Sequence, residues 1–156
     1  MTPNAATIAR TVNAAMASHK DQAGPLLEIL HAVQNTLGFV PADAVPLIAE
    51  ALNISRADVH GVVSFYHHFR KQPPGRCVVQ LCRAEACKAM QADALAAFAT
   101  HHLGVNFGET RADGAVTLES VYCLGNCACA PSMMLNGQLH GRVSPRKLEL
   151  LVQELV

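Results

Sequence analysis

The amino-acid sequence predicts an α+β protein in which an N-terminal helical bundle precedes an α/β domain. Three observations support this. Apolar residues recur at helical spacing in the first half, prolines and a glycine interrupt the pattern within residues 71–75, and all six cysteines lie between residues 77 and 129. We therefore predict a helical bundle over residues 1–72 and a separate, cysteine-bearing domain over residues 73–156.

Composition narrows the classes of function. The chain has 156 residues, enough to bury a core without covalent crosslinks, so its six cysteines need another explanation. A formal net charge of zero disfavours nucleic acid as a partner. Residues 1–10 contain no basic segment followed by an apolar run, and glycine, proline and asparagine interrupt the charge-free interval 120–141. We expect no signal peptide, no membrane span and a cytoplasmic location, where thiols stay reduced.

The clearest element of the first half is a helix over residues 26–37. Pro25 suits the start of a helix, and Gly38 suits a left-handed C-terminal cap. The helix has an apolar stripe made of Leu26, Ile29, Leu30, Val33 and Leu37. Because a helix with one apolar face buries that face against neighbours, this segment predicts a central member of a bundle.

Three further helices complete the predicted bundle. Residues 6–19 carry a weak helical pattern, and residues 42–52 carry a clearer one. Ser55 and Asp58 have the spacing of a capping box before an apolar run, which predicts a helix that begins at Ser55. The stretch as far as Phe69 is expected to pack with the other helices.

The second half opens with a predicted strand, loop and helix. Residues 76–82, with the sequence RCVVQLC, alternate as a strand does. Residues 84–100 are rich in alanine and carry a helical pattern. A loop that contains cysteine therefore follows the first strand.

The remainder of the second half predicts further strands and one helix. Residues 115–123 form a strand pattern, and residues 132–143 predict a hairpin that turns at Asn136 and Gly137. Ser144 and Pro145 precede a final helix over residues 146–155. The order β-α-β-β-α, with a cysteine loop after each of two strands, predicts an α/β sandwich of the thioredoxin type.

Two cysteine clusters carry the chemistry. Cys82 and Cys87 have the spacing C-x4-C, and Cys123 and Cys127 have the spacing C-x3-C. Four thiolates suit a 2Fe-2S cluster, which needs two soft anionic ligands for each iron. Spacing alone leaves two alternatives open, a structural zinc site and a disulfide or thiol redox pair.

The other candidate residues have simpler interpretations. Cys77 lies on the opposite strand face from Cys82 and is interpreted as a small core residue. Cys129 is interpreted as a bystander, with ligation in place of Cys127 as the alternative. The pairs His67-His68 and His101-His102 are interpreted as structural or interfacial, because adjacent residues on a helix point in different directions.

Three segments resemble a known family: CRAEAC at 82–87, YCLGNCACAP at 122–131 and GVVSFYHHF at 61–69. The chain is similar to the thioredoxin-like 2Fe-2S subunits of respiratory complex I, NAD-reducing hydrogenases and NAD-dependent formate dehydrogenases. The resemblance spans the chain from about Leu26 onward. It implies one 2Fe-2S cluster with four metal ligands, Cys82, Cys87, Cys123 and Cys127. The same four residues form the cofactor-binding site.

Within that family, YHHF and CRAEAC are most similar to the gamma subunit of soluble NAD-dependent formate dehydrogenases. This implies an electron-transfer role in a cytoplasmic complex, beside a partner subunit that carries FMN, the NAD site and further iron-sulfur clusters. A larger catalytic subunit would oxidise formate at a molybdenum- or tungsten-pterin centre. The chain has no G-x-G-x-x-G fingerprint and no P-loop, so we expect it to be non-catalytic alone. The alternatives are the equivalent hydrogenase or complex I subunit, or a zinc-stapled interaction module.

Overall fold

The computed structural model describes residues 3–153, and the chain divides into two compact units at the Pro73-Pro74 junction. The first unit contains four helices, α1 to α4. Their bounds are Ala5–His19, Leu26–Leu37, Ala44–Leu52 and Arg56–Phe65. These helices agree with the predicted bundle, including the weakly patterned first helix.

Local signals in the sequence set the helix ends. Gly38 adopts a left-handed conformation, with φ of 84°, and ends α2 as predicted. Ser55 and Asp58 form the predicted capping box at the start of α4, since each side chain accepts a hydrogen bond from the other residue's backbone N–H. The apolar faces meet in one core that includes Ile29, Leu30, Val33, Ile48 and Val59.

One polar side chain lies inside this helical core. Gln34 is buried on α2, where its amide nitrogen donates to the carbonyl of His68 at 2.9 Å. Its amide oxygen accepts the backbone N–H of Arg70 at 2.7 Å. Gln34 therefore satisfies two backbone groups of the irregular segment that follows α4, and it fixes the path of that segment.

A five-stranded sheet forms the centre of the second unit, in the order β2-β3-β1-β4-β5. The middle strand, β1, is parallel to β3, and the other neighbouring pairs are antiparallel. The strand bounds, from β1 to β5, are Cys77–Cys82, Glu109–Thr110, Val116–Val121, Met133–Leu135 and Gln138–His140. The predicted hairpin turn is confirmed, because Asn136 and Gly137 both have positive φ.

Two helices pack on one face of this sheet. They are α6, Ala92–Leu103, and α7, Pro145–Gln153. Their apolar residues meet strand residues such as Val79, Leu118 and Met133 in a second core. The backbone at Gly75, just before β1, lies close to β3. The N–H of Gly75 donates to Thr117 Oγ1 at 2.6 Å. A Cβ at Gly75 would lie 2.9 Å from the Val116 backbone, so only glycine allows this approach.

The structure corrects the predicted helix over residues 84–100. That segment forms two helices, α5 over Glu85–Ala89 and α6 over Ala92–Leu103, separated at Gln91. Gln91 has a φ of 66°, a conformation that few residues other than glycine adopt. The break allows Cys87 and Ala92 to pack in the same small cluster. No glycine or proline in the sequence signals this break.

Two smaller differences concern the remaining elements. The short strand β2, Glu109–Thr110, was not predicted, because two residues are too few for a recognisable pattern. The final helix begins at Pro145, and its predicted residues 154–155 lie outside the described part of the chain. Within residues 3–153, no helix has both the length and the apolar character needed to cross a bilayer.

Candidate functional site

Two cysteine loops leave the same edge of the sheet. Cys82 is the last residue of β1, and its partner on the parallel strand β3 is Val121, two residues before Cys123. The N–H of Arg83 donates to the Val121 carbonyl at 2.8 Å, which continues the pairing beyond Cys82. Because parallel strands end at the same edge, the topology brings the two loops together.

The first loop holds buried thiols. Cys82 and Cys87 are 3% and 2% exposed, and Cys87 lies within α5. The loop is also tied to α6, since the guanidinium of Arg83 pairs with Asp93 at 3.2 Å and lies over the ring of Phe107. This half of the site is therefore shielded from water and held by regular structure.

Hydrogen bonds from both loops converge on Cys82. Burial raises the pKa of its thiol, yet several donors together bring the pKa of Cys82 below its ordinary value. These donors are the Ala84 backbone, the Cys87 side chain and the backbones of Cys123 and Leu124. Burial is also the main reason that the pKa of Cys87 is raised.

The second loop is exposed and irregular. Cys123 and Cys127 are both exposed, with their sulfurs 3.9 Å apart. The N–H of Gly125 donates to the Cys123 sulfur at 3.3 Å, and Gly125 has a positive φ of 72°. Cys123 itself has a φ of 106°, a strained conformation for a residue with a side chain.

Charges on the thiols of one loop influence thiols of the other loop. A hydrogen bond to Cys123 and the charge of Cys123 raise the pKa of Cys127, and the charge of Cys82 adds to the effect. Two sulfurs on one tetrahedral metal, each about 2.3 Å from it, lie about 3.8 Å apart, close to the separation of Cys123 and Cys127. The donor set therefore suits metal ions that bind thiolate. In the described part of the chain, no three His, Cys, Asp or Glu side chains already form a group able to hold a single metal ion.

The other predicted residues lie outside this group. Cys77 is fully buried in the sheet core, as predicted, and burial raises the pKa of its thiol. Cys129 is half-buried at the end of a 3-10 helix, Cys127–Cys129. His68 packs beside the ring of His31 with centroids 5.4 Å apart, and His102 stacks on Phe98 at 5.2 Å. These histidine contacts are structural.

Sequence reasoning missed one residue that supports both loops. Ser132 is buried, and its carbonyl accepts the N–H of Cys82 at 3.0 Å. Its hydroxyl donates to the carbonyls of Asn126 and Cys129, at 3.2 and 3.4 Å. Its position directly after Pro131 was the only sequence signal, and it did not distinguish Ser132 from an ordinary loop residue.

Comparison with known proteins identifies the class to which this fold and site belong. A family model described as thioredoxin-like [2Fe-2S] ferredoxin matches residues 12–156. The chain therefore belongs to the thioredoxin-like 2Fe-2S ferredoxin family, and the family carries a 2Fe-2S cluster. This confirms the predicted fold and the predicted cofactor.

Particular relatives belong to multi-subunit enzymes. The E subunit of the NADH-quinone oxidoreductase of Pseudomonas aeruginosa is 36% identical over 141 residues, 90% of this chain and 85% of the relative. The HndA subunit of the NADP-reducing hydrogenase of Solidesulfovibrio fructosivorans is 30% identical over 131 residues, 84% of this chain and 77% of the relative.

A solved structure agrees with the fold. A chain of an NAD+-reducing [NiFe]-hydrogenase superposes with a TM-score of 0.72 at 22% identity, over 83% of this chain. The matched region is 22% of the hydrogenase chain, so most of that chain has no counterpart here.

Proposed function

We propose that this protein is an electron-transfer subunit that binds one 2Fe-2S cluster on Cys82, Cys87, Cys123 and Cys127. The observation that carries the proposal is that the parallel strands β1 and β3 end together, with Cys82 opposite Val121, so that the two cysteine loops leave the sheet side by side. In agreement with this, the backbones of Cys123 and Leu124 lower the pKa of Cys82. We assign Cys82 and Cys87 to one iron, and Cys123 and Cys127 to the other, because the first two pack in one buried cluster and the sulfurs of the second two are 3.9 Å apart.

The residues of the site have separable roles. The thiolates supply the negative charge that iron requires, and their mutual repulsion in the metal-free chain favours binding of a cation. The N–H of Gly125 hydrogen-bonds the Cys123 sulfur and so disperses its charge. When bound, the cluster supplies the capacity to accept and donate single electrons.

We place this subunit in a cytoplasmic, NAD-linked oxidoreductase. The curated relatives are subunits of an NADH-quinone oxidoreductase and an NADP-reducing hydrogenase, which supports a partner that binds NAD and FMN. We assign the chain to a formate dehydrogenase, whose larger subunit holds a molybdenum- or tungsten-pterin, from the resemblance of YHHF and CRAEAC. An equivalent subunit of a hydrogenase or of complex I is the second candidate, and the relatives favour it.

Each unit offers an apolar surface to such partners. On the second unit, Tyr122 is 75% exposed directly beside Cys123, and Met90 is exposed after α5. On the first unit, Phe65 and Tyr66 are exposed, whereas Phe69 of the same stretch is buried and belongs to the core. Exposed aromatic residues are enriched in protein interfaces, so we assign these residues to partner docking.

Metal analysis of anaerobically purified protein tests the cofactor assignment. We expect two irons and two sulfides for each chain, together with visible absorption, as a 2Fe-2S cluster requires. Stoichiometric zinc without sulfide would support the interaction-module alternative instead.

Capture of the complex from the native host tests the assignment of partners. A flavin-containing, NAD-binding subunit is expected in either case. A co-purifying molybdenum or tungsten protein supports formate dehydrogenase, whereas nickel-iron or membrane subunits support the second candidate. Recovery of a colourless protein without partners would contradict the electron-transfer proposal.

A further inference from the structure

The second cysteine loop lies against residues 141–143, the segment that connects β5 to α7. The N–H of Arg142 donates to the Cys129 carbonyl at 2.6 Å, and the N–H of Val143 donates to the Pro131 carbonyl at 2.9 Å. Both acceptors follow Cys127 within four residues. Two backbone hydrogen bonds therefore hold the exit of the loop against a segment that is distant in sequence.

Gly141 is the residue that allows this approach. A Cβ at position 141 would lie 2.6 Å from the Cβ of Cys129, 2.9 Å from the Cys129 carbonyl oxygen and 2.7 Å from Nδ2 of Asn126. Real Cβ atoms essentially never come within 3.0 Å of such atoms. The Asn126 amide is the end of a flexible side chain and can move, but the Cys129 atoms can move only if the loop moves with them.

A lysine on α7 fixes the other side of this glycine. Nζ of Lys147 donates to the Gly141 carbonyl at 2.7 Å. The lysine belongs to a helix whose Leu148 is buried in the sheet core, so the contact links the segment to that core. Residues 141–143 therefore lie between α7 and the second cysteine loop, with hydrogen bonds to both.

We propose that Gly141 is a positioning residue for the second pair of cluster ligands. By allowing close contact with Cys129, it holds the loop where the sulfurs of Cys123 and Cys127 are 3.9 Å apart. Cys129 contributes through its backbone, and Lys147 keeps the segment in place. This inference rests on the proposed function, since it takes Cys123 and Cys127 as ligands.

The substitution Gly141→Ala, made in the full iron-loaded chain, tests the proposal against the matched control Gly75→Ala. Both glycines lack positive φ, and both are too crowded for a Cβ. Gly75, however, contacts Val116, at the opposite end of β3 from the cysteine loops. The readouts are the rate at which a chelator bleaches the visible absorption, the electron paramagnetic resonance spectrum of the reduced protein and the melting temperature.

Loss of support behind a metal ligand typically lowers metal affinity by about 10- to 100-fold, so we expect Gly141→Ala to speed bleaching by about 10-fold or more and to change the resonance spectrum. Gly75→Ala should lower the melting temperature and leave the spectrum unchanged. The double variant Gly141→Ala, Cys129→Gly lacks the Cβ of Cys129, which is the atom nearest to the added methyl group. It should therefore bleach more slowly than Gly141→Ala alone.

A second pair of variants applies if Gly141→Ala does not fold. Lys147→Met removes the hydrogen bond to Gly141, and Arg146→Met removes the same charge from an exposed neighbour on the same helix. Only Lys147→Met should speed bleaching. Equal behaviour of Gly141→Ala and Gly75→Ala, or of the two methionine variants, would overturn the inference and leave the proposed function intact. An unsubstituted chain that carries no cluster would instead overturn the proposed function, and the inference with it.

Discussion

The two cysteine loops begin at the same sheet edge but differ in construction. The first has buried sulfurs, a helix that contains Cys87 and an ion pair to α6. The second has exposed sulfurs and two residues with positive φ, Cys123 and Gly125. If the cluster binds as we propose, the difference assigns the first loop to anchoring it and the second loop to facing partner subunits, because burial slows loss of the cluster whereas exposure allows close approach for electron transfer.

Replacement of each ligand by serine should have the largest effect and should separate the loops. We expect Cys82→Ser and Cys87→Ser to abolish the visible absorption, because buried neighbours prevent the shorter, harder oxygen ligand from adjusting. Cys123→Ser and Cys127→Ser should leave a badly destabilised cluster, since the exposed loop can move. Cys129→Ser and Cys77→Ser are the controls that should keep it. Loss in Cys129→Ser together with retention in Cys127→Ser would reverse the ligand assignment.

Iron removal should have the next largest effect, and it compares the loops within one molecule. Metal binding couples to folding, so loss of iron should reduce amide protection in β1 and β3 and leave α2 protected. Within the second unit, the Gly125 amide should lose more protection than the Cys82 amide, whose acceptor is the Ser132 carbonyl. Hydrogen exchange measured by NMR gives these values residue by residue. Equal losses in both units would contradict a division of the chain into independent domains.

Gly125→Ala should have a moderate effect that is specific to the second loop. Gly104→Ala is its matched control, because both glycines have positive φ, 72° and 65°, and both have open space around a Cβ. Each change should lower the free energy of unfolding by about 1–2 kcal/mol, the cost of a left-handed conformation in a residue with a side chain. Only Gly125→Ala should also lower the reduction potential, because it disturbs the hydrogen bond to the Cys123 sulfur. Equal reduction potentials in the two variants would show that the hydrogen bond from Gly125 does not tune the cluster.

The smallest expected effect concerns Cys77, the buried thiol outside both loops. Its folded pKa is raised by burial above the ordinary value of 9.0, so its contribution to stability is complete below about pH 9 and is lost as pH rises further. In iron-loaded protein the ligand thiols no longer titrate. As pH rises from about 8 to about 10, roughly one unit either side of the ordinary pKa of 9.0, the melting temperature of Cys77→Ala should therefore fall less steeply than that of the unsubstituted chain. Parallel curves would show that Cys77 does not titrate in this range.

Local patterns predicted much of the fold and the candidate ligands. The helix over 26–37, the capping box at Ser55 and the hairpin at Asn136 each depend on residues that are close in sequence. The sequence showed that each cysteine loop follows a strand, because the alternation of apolar and polar residues marks where a strand ends. Parallel strands end at the same edge of a sheet, so the two loops could be expected to meet.

Features that depend on contacts distant in sequence could not be predicted. The helix break at Gln91 is imposed by packing around Cys87, and nothing in the alanine-rich segment marks it. The close approach of Gly141 to Cys129 and the hydrogen bonds of Ser132 appear only when the hairpin returns to the cysteine loop. The positive φ of Cys123 has no sequence signal, because cysteine is not a residue that favours it.

The buried amide of Gln34 links the helical core to the surface that we assign to docking. The backbone it binds, at His68 and Arg70, directly follows the exposed ring of Tyr66. A substitution at Gln34 would leave every exposed side chain chemically unchanged and still alter where that ring stands. A substitution at the buried Gln34 would therefore change the shape of the surface that a partner binds. Compensating substitutions in the partner would then arise opposite Tyr66, although the partner never contacts Gln34.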